Sequence, residues 1–259
     1  MIIERFKEYY AVRADAPGLF LLTGIAAAFS HLPYENVTKI LKNVRATQPA
    51  HKLRRTEEVL QDHLRWKTGG TCFSLCNALQ EILHRSGFDS YIAMADMHYG
   101  ANIHCAVVVR VDQKDYLLDP GYLLHDPIPL PGCEMEVVRQ TRMNTVLLRY
   151  ESPAVFSLYT KEAGQTKWRY RLHATRISHQ EFTEHWIHSF SLNSMEHLMF
   201  ARIGESGRLY FRRNRLEQVQ AESRRKIVVP SSDIGALSRS FEIPSDLILC
   251  AQKALACSR

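Results

Sequence analysis

The spacing of apolar and polar positions changes character near residue 88. Before it, apolar residues come in helix-length runs or at three- and four-residue intervals. Leu19 to Ser30 forms one such run, Thr56 to Leu64 a second, and Leu75, Cys76, Leu79, Ile82 and Leu83 mark one buried face of a third. Pro33, in His31-Leu32-Pro33-Tyr34-Glu35-Asn36, interrupts the first pattern, and Ser86-Gly87 stops the third. After residue 88 the runs are short and rich in β-branched and aromatic residues. Ser90 to Ala95, His104 to Val111 and Asp115 to Leu118 read as strands, with Asp112-Gln113-Lys114 as a hairpin turn between the last two. That turn carries Asp119 back along the strand that His104 opens, and Pro127, Pro129 and Pro131 end the stretch. Further strands are predicted at Met143 to Tyr150, Ala154 to Tyr159 and Trp168 to Ala174. A ribbon runs from Leu198 to Ile203 through Glu205-Ser206-Gly207 to Leu209-Phe211, and a last helix from Ser245, its expected N-cap, to Ala256.

Composition narrows the class. With 46% hydrophobic and 23% charged residues, the 259-residue chain is globular rather than disordered, and long enough for one unit of two or three packed subdomains. The longest apolar run falls well short of the roughly 20 residues that cross a bilayer, so neither a membrane span nor a signal peptide is expected. Six unevenly spread cysteines in a chain of this length point to a reduced, cytoplasmic setting. Cys72 and Cys76 lie four apart, but no second close pair with zinc-site spacing follows, so no metal site is expected. The formal charge of +6 favours an anionic substrate, a phosphorylated cofactor or nucleic acid. Arg212-Arg213-Asn214-Arg215 and Arg224-Arg225-Lys226 are not accompanied by a nucleic-acid reading motif and read as a solvated face.

Candidate chemistry gathers on Cys72. It follows Gly69-Gly70-Thr71 in the first turn of its helix, where unpaired N–H groups and the helix dipole favour a thiolate. The two glycines offer unusual dihedrals and open backbone beside the sulfur. His104 at one end of an apolar hairpin and Asp119 at the other supply a base and a carboxylate to orient it. The same residues also fit a small core cysteine, a surface histidine and a Leu-Asp-Pro-Gly turn.

Four segments taken together, Pro33-Tyr34-Glu35-Asn36-Val37, Gly69-Gly70-Thr71-Cys72-Phe73, the His104 strand and Leu118-Asp119-Pro120-Gly121-Tyr122, resemble the arylamine N-acetyltransferase family in order and spacing. Weaker similarity runs on through Phe182 to Asn193 and through Gly207-Arg208-Leu209 to Asn214-Arg215-Leu216. The resemblance implies an α+β fold with a cysteine-protease or transglutaminase-like core: a helical bundle over residues 1–88, a central antiparallel β-barrel over 89–192 and an α/β lid over 193–259. It implies Cys72, His104 and Asp119 as catalytic triad. Acetyl-CoA or another acyl-CoA would be co-substrate, with no permanently bound cofactor, and an arylamine, arylhydrazine or similar amine would be acceptor. Tyr122, Phe73 and Gly121 become candidate substrate contacts, and the basic runs candidate contacts for CoA phosphates.

Departures from the family pattern stand at Thr68, where an Arg is usual, at Ser74 for Glu, at Cys76 for Asn and at Leu123 for Gly. The usual Arg partners the Glu of the first motif, here Glu35, and Lys67 or Arg65 is the nearby substitute. An amide synthase or transglutaminase-like hydrolase with another acyl donor, or an inactive binding module, is compatible with the same departures.

Overall fold

The computed structural model describes every residue except 14–15, 142–143, 163, 193–194, 205–206, 220–223 and 258–259. Helices come first: α1 (Ile2–Tyr9), α2 (Leu19–Phe29), α3 (Val37–Arg45), α4 (Thr56–Trp66) and α5 (Cys72–Arg85), with the short strand β1 (Tyr34–Glu35) between α2 and α3. Eight strands follow: β2 (Asp89–Met97), β3 (Gly100–Val111), β4 (Lys114–Asp119), β5 (Leu124–Pro129), β6 (Glu136–Gln140), β7 (Thr145–Ser152), β8 (Val155–Glu162) and β9 (Gln165–His173). Helix α6 (His179–His188) leads to β10 (Met199–Gly204), β11 (Gly207–Arg212), β12 (Arg215–Val219), β13 (Arg224–Val228), α7 (Ile234–Phe241) and α8 (Ser245–Cys257).

Strands β2 to β9 make one antiparallel sheet in the order β5-β4-β3-β2-β9-β8-β7-β6, and its end strands β5 and β6 adjoin, so the sheet curls into a near-closed barrel. The proline-rich stretch is not the terminator expected. Pro127 and Pro129 lie inside β5, at the edge of the sheet, where a missing N–H costs no ladder bond. Strand β3 begins at Gly100, so His104 sits inside the strand rather than opening it. Asp112 and Gln113, at φ 49° and 61°, form the two-residue mirror-image turn that matches strand twist. Helix α8 starts at Ser245 itself, and the Pro244 carbonyl accepts from Ile248 N, so Pro244 takes the capping place expected for Ser245. Met143, Glu205 and Ser206 of the predicted strand and ribbon lie outside the described residues.

Three packed clusters hold these layers. The predicted face of α5 is fully buried with Phe6, Phe29 and Phe73 of the helical core, each such side chain worth about 1.5–3 kcal/mol of burial. A second cluster fills the barrel around Leu158, Tyr170 and Leu172. A third lies under the smaller sheet, β1-β10-β11-β12-β13, and joins Val37 and Ile40 of α3 to Phe200, Phe211 and Phe241. The early segment Tyr34 to Arg45 is thereby built into the C-terminal layer: β1 pairs with β10, and α3 packs on α8.

Candidate active site

Pairing of Val107 with Leu118 and of Val108 with Leu117 fixes the β3–β4 register. Continuing it puts Asp119 opposite Ala106, so His104 and Asp119 are diagonal neighbours on one face, within reach of long side chains. His104 Nε2 lies 2.8 Å from Asp119 Oδ2, with both side chains buried. The other carboxylate oxygen, Oδ1, accepts from Tyr122 N at 3.0 Å. Held at both oxygens, Asp119 fixes the imidazole, and its remaining nitrogen is left for the thiol of Cys72, with which His104 shares a hydrogen bond.

Helix α5 delivers that thiol. Thr71 precedes it in extended geometry and makes no side-chain cap, so the first-turn N–H groups beside Cys72 keep their affinity for negative charge. The Cys72 thiol is held well below its ordinary value by a hydrogen bond from the Cys105 thiol, against the opposing effect of burial, with further help from His104 and the Lys39 ammonium. Burial pushes His104 down, but the charge and hydrogen bond of Asp119, together with Cys72, hold it well above the usual imidazole value. Both shifts run in the direction that favours a thiolate paired with an imidazolium.

Gly121 occupies the point where the three side chains meet. A Cβ there would stand 2.8 Å from Cys72 Cβ, 2.9 Å from His104 Cε1 and 3.3 Å from Asp119 Oδ1. Tyr122 packs edge-on to His104 with ring centroids 5.3 Å apart, and Tyr170 lies 5.0 Å from His104 and 5.4 Å from Tyr122, so the three rings form one cluster. Phe73 is a buried core residue that forms an aromatic cluster with Phe182 and Trp186.

Gly69 and Gly70 serve a different purpose from the one expected. Neither has a positive φ and both are buried. A Cβ on Gly69 would collide with the Pro33 carbonyl at 1.9 Å, and one on Gly70 with Ser74 Oγ at 2.2 Å. The pair lets the loop before Cys72 lie directly on Pro33-Tyr34-Glu35, where Glu35 N donates to the Gly70 carbonyl at 2.9 Å.

The cation beside Glu35 is also not the one expected. Lys67 donates to Tyr9 Oη, and Arg65 covers the Trp66 ring. Arg54, buried and outside every family motif, takes the place of the missing arginine. It donates to Thr38 Oγ1 at 2.8 Å, to the Gly69 carbonyl at 2.5 Å and to Asp62 at 2.7 Å. Thr38 in turn donates its hydroxyl and its N–H to the two oxygens of Glu35. Residues 33–38, Arg54 and the nucleophile loop thus form one buried polar knot.

Leu123, in place of glycine, has φ 59°, the left-handed region that favours glycine. Its side chain is buried against Tyr34, Ala201, Ile203 and Tyr210 and so closes the seam between the barrel and the smaller sheet. Sequence patterns also passed over Lys39. Its ammonium is buried, donates to the Ser189 carbonyl and hydroxyl, and is pushed down to about 8 by burial. A lysine on the apolar face of α3, beside Ile40, was its only signal. The basic runs lie on strands and a turn of the smaller sheet: Arg213 and Asn214 turn β11 into β12, and Arg225 and Lys226 lie on β13.

A family model described as N-acetyltransferase matches residues 20–247. Among solved structures, the arylamine N-acetyltransferase from Mycobacterium abscessus superposes with a TM-score of 0.80 at 18% identity, covering 99% of this chain and 95% of that one. The enzyme from Mycobacterium tuberculosis gives 0.80 at 16% identity, over 98% and 99%. The NAT3 arylamine N-acetyltransferase from Bacillus cereus, described as having a unique Cys-His-Glu catalytic triad, gives 0.72 at 17% identity, over 93% and 98%. No curated protein sequence matches the chain.

Proposed function

Because the chain belongs to the arylamine N-acetyltransferase family, we propose that Cys72, His104 and Asp119 form its catalytic triad and carry an acyl group from a CoA thioester to an aromatic amine or hydrazine. The observation that supports this most is the meeting of thiol, imidazole and carboxylate around Gly121, with the carboxylate fixed at both oxygens. In the first half-reaction the Cys72 thiolate attacks the thioester carbonyl. The bond to the CoA sulfur breaks, and CoA leaves as a thiol with the proton of the His104 imidazolium. In the second half the amine attacks the Cys72 thioester, neutral His104 takes the amine proton, and the Cys72 sulfur leaves as the thiolate. Asp119 keeps its charge throughout and holds the imidazole in one tautomer. First-turn N–H groups of α5 are the candidate donors to the oxyanion formed at each step. In the Bacillus cereus relative a Glu is the third residue of the triad, and Asp119 is its counterpart in this reading.

Membership of the family makes acetyl the first donor to test. Incubating the purified protein with a panel of acyl-CoA thioesters and measuring intact mass tests both halves of the reading. One acyl group should appear on Cys72 with acetyl-CoA, and added arylamine should remove it. No label from any CoA thioester would refute CoA-dependent transfer, and label from other activated acyl donors alone would favour an amide synthase.

A further inference from the structure

Three of the six cysteines are buried together at the start of α5. Cys105 follows His104 on β3, and because successive strand side chains face opposite sides, its thiol turns from the barrel interior to the helical core that holds Cys72 and Cys76. Cys76 Sγ donates to the Cys105 carbonyl at 3.2 Å. The Cys105 thiol itself is in hydrogen-bond contact with the thiols of both Cys72 and Cys76. Neither neighbour forms or breaks a bond in acyl transfer, although the Cys105 thiol helps to hold Cys72 as a thiolate. A nucleophilic sulfur with a second thiol against it is the arrangement that traps a sulfenic acid as a disulfide before further oxidation. Between the two neighbours, Cys105 is the better partner. Cys76 lies one turn along the same helix, so a bridge from it would close within four residues of helical backbone, whereas Cys105 approaches from a different element.

We propose that Cys72 is a reversible oxidation site with Cys105 as its resolving cysteine, so that a hydroperoxide converts the nucleophile into a Cys72–Cys105 disulfide. In the first step the Cys72 thiolate attacks the hydrogen-bearing oxygen of the hydroperoxide. A sulfur–oxygen bond forms, the oxygen–oxygen bond breaks, and the departing alkoxide or hydroxide takes the His104 imidazolium proton. Sulfur is oxidised by two electrons and the peroxide is reduced to an alcohol or water. In the second step the Cys105 sulfur attacks the Cys72 sulfenic sulfur, the sulfur–sulfur bond forms, and hydroxide leaves with the Cys105 proton as water. A dithiol reductant returns both thiols. Without Cys105, a second peroxide would carry Cys72 to the sulfinic acid, which ordinary thiols do not reverse.

The test uses the whole chain, a few equivalents of hydrogen peroxide, alkylation after unfolding and tryptic mass mapping. Cleavage after Lys67, Arg85 and Arg110 puts Cys72 and Cys76 in peptide 68–85 and Cys105 alone in peptide 86–110. Peptides 68–85 and 86–110 should be found linked in the wild type and in Cys76→Ser, with the link lost on adding dithiothreitol. In Cys105→Ser the link should be absent and Cys72 should gain two or three oxygens. A wild-type chain that gains those oxygens with no link overturns the proposal. So does a link that disappears in Cys76→Ser, since Cys76 would then be the partner. Fragmentation of the linked wild-type peptides, which assigns the bridge to Cys72 or to Cys76, decides even if a variant fails to fold. It also needs no acyl donor, so a failure of acyl labelling would leave this result intact.

Discussion

At the scale of single residues, Cys72 and His104 shift each other in opposite directions. The thiol is lowered by Cys105 and by the imidazolium, and the imidazole is raised by Asp119. Between the two shifted values the reactive form is fully populated, whereas a free cysteine loses its thiolate about tenfold per pH unit below a pKa of roughly 8.5. The rate of iodoacetamide alkylation at Cys72 should therefore stay level from about pH 8 down to about pH 6, where free cysteine slows by about a hundredfold. Asp119→Asn removes the group that raises His104, so the thiolate loses part of its support from the imidazolium and its level region should shrink from the acid side. A wild-type profile that tracks free cysteine would contradict the ion pair. The three residues were legible in the sequence because each is locally out of place: a thiol at a helix start, and a histidine and an aspartate in an apolar hairpin. Gly69 and Gly70 misled for the opposite reason. The missing Cβ of Gly69 is used against Pro33, far away in sequence, and that of Gly70 against Ser74 and Arg54, and no local pattern records the contacts with Pro33 and Arg54.

At the scale of elements, the position of Cys72 depends on how the start of α5 is tied down. Arg54 reaches Thr38, Gly69 and Asp62 at once, and Thr38 carries both oxygens of Glu35. Removing the guanidinium would leave buried Glu35 without a facing cation and Asp62 without its 2.7 Å partner. Stripping one partner from such a buried set costs about 3–5 kcal/mol. Urea unfolding of Arg54→Ala should show a loss of that size, accompanied by slower Cys72 alkylation at neutral pH as the loop loosens. Arg54→Lys keeps the charge but not the fork, and should recover only part of each. An alanine variant as stable as the wild type would show that the knot is not held by Arg54. This substitution of one arginine for another was invisible in the sequence. The motif position holds Thr68, the nearest cations Arg65 and Lys67 point elsewhere, and Arg54 comes into range only through the path of the chain before α4.

At the scale of the whole molecule, the order of bundle, barrel and smaller sheet was readable from the change of period, because helices and strands bury apolar residues at different spacings. The edge strands were not: β5 carries prolines and β6 exposes four of its five residues, so neither shows the strand signature. The layers also share two histidines kept neutral by burial, and these govern the response to acid. His63, in α4, lies 2.9 Å from the Thr68 carbonyl and 2.5 Å from Tyr10 Oη, bracing α1 against the loop before Cys72. His125, on β5, lies near Asp119. Burial lowers each to about 4, below the ordinary value of 6.5. Below pH 6.5 the unfolded chain therefore takes up protons that the folded chain refuses until about pH 4. Their contribution to stability is complete above pH 6.5 and is lost across that window, at up to about 1.4 kcal/mol per pH unit for each histidine. Cys72, lowered in the fold, adds to the same slope, and Glu35 and Asp62, raised by burial, oppose it. Chemical unfolding at pH 7, 6 and 5 should show stability falling with acid. His63→Gln should be less stable at pH 7, having lost its contact with Tyr10, yet its slope should be flatter by about 1 kcal/mol per unit. An unchanged slope in that variant would mean that His63 is already protonated in the fold, and that the Tyr10–His63–Thr68 brace carries a charge.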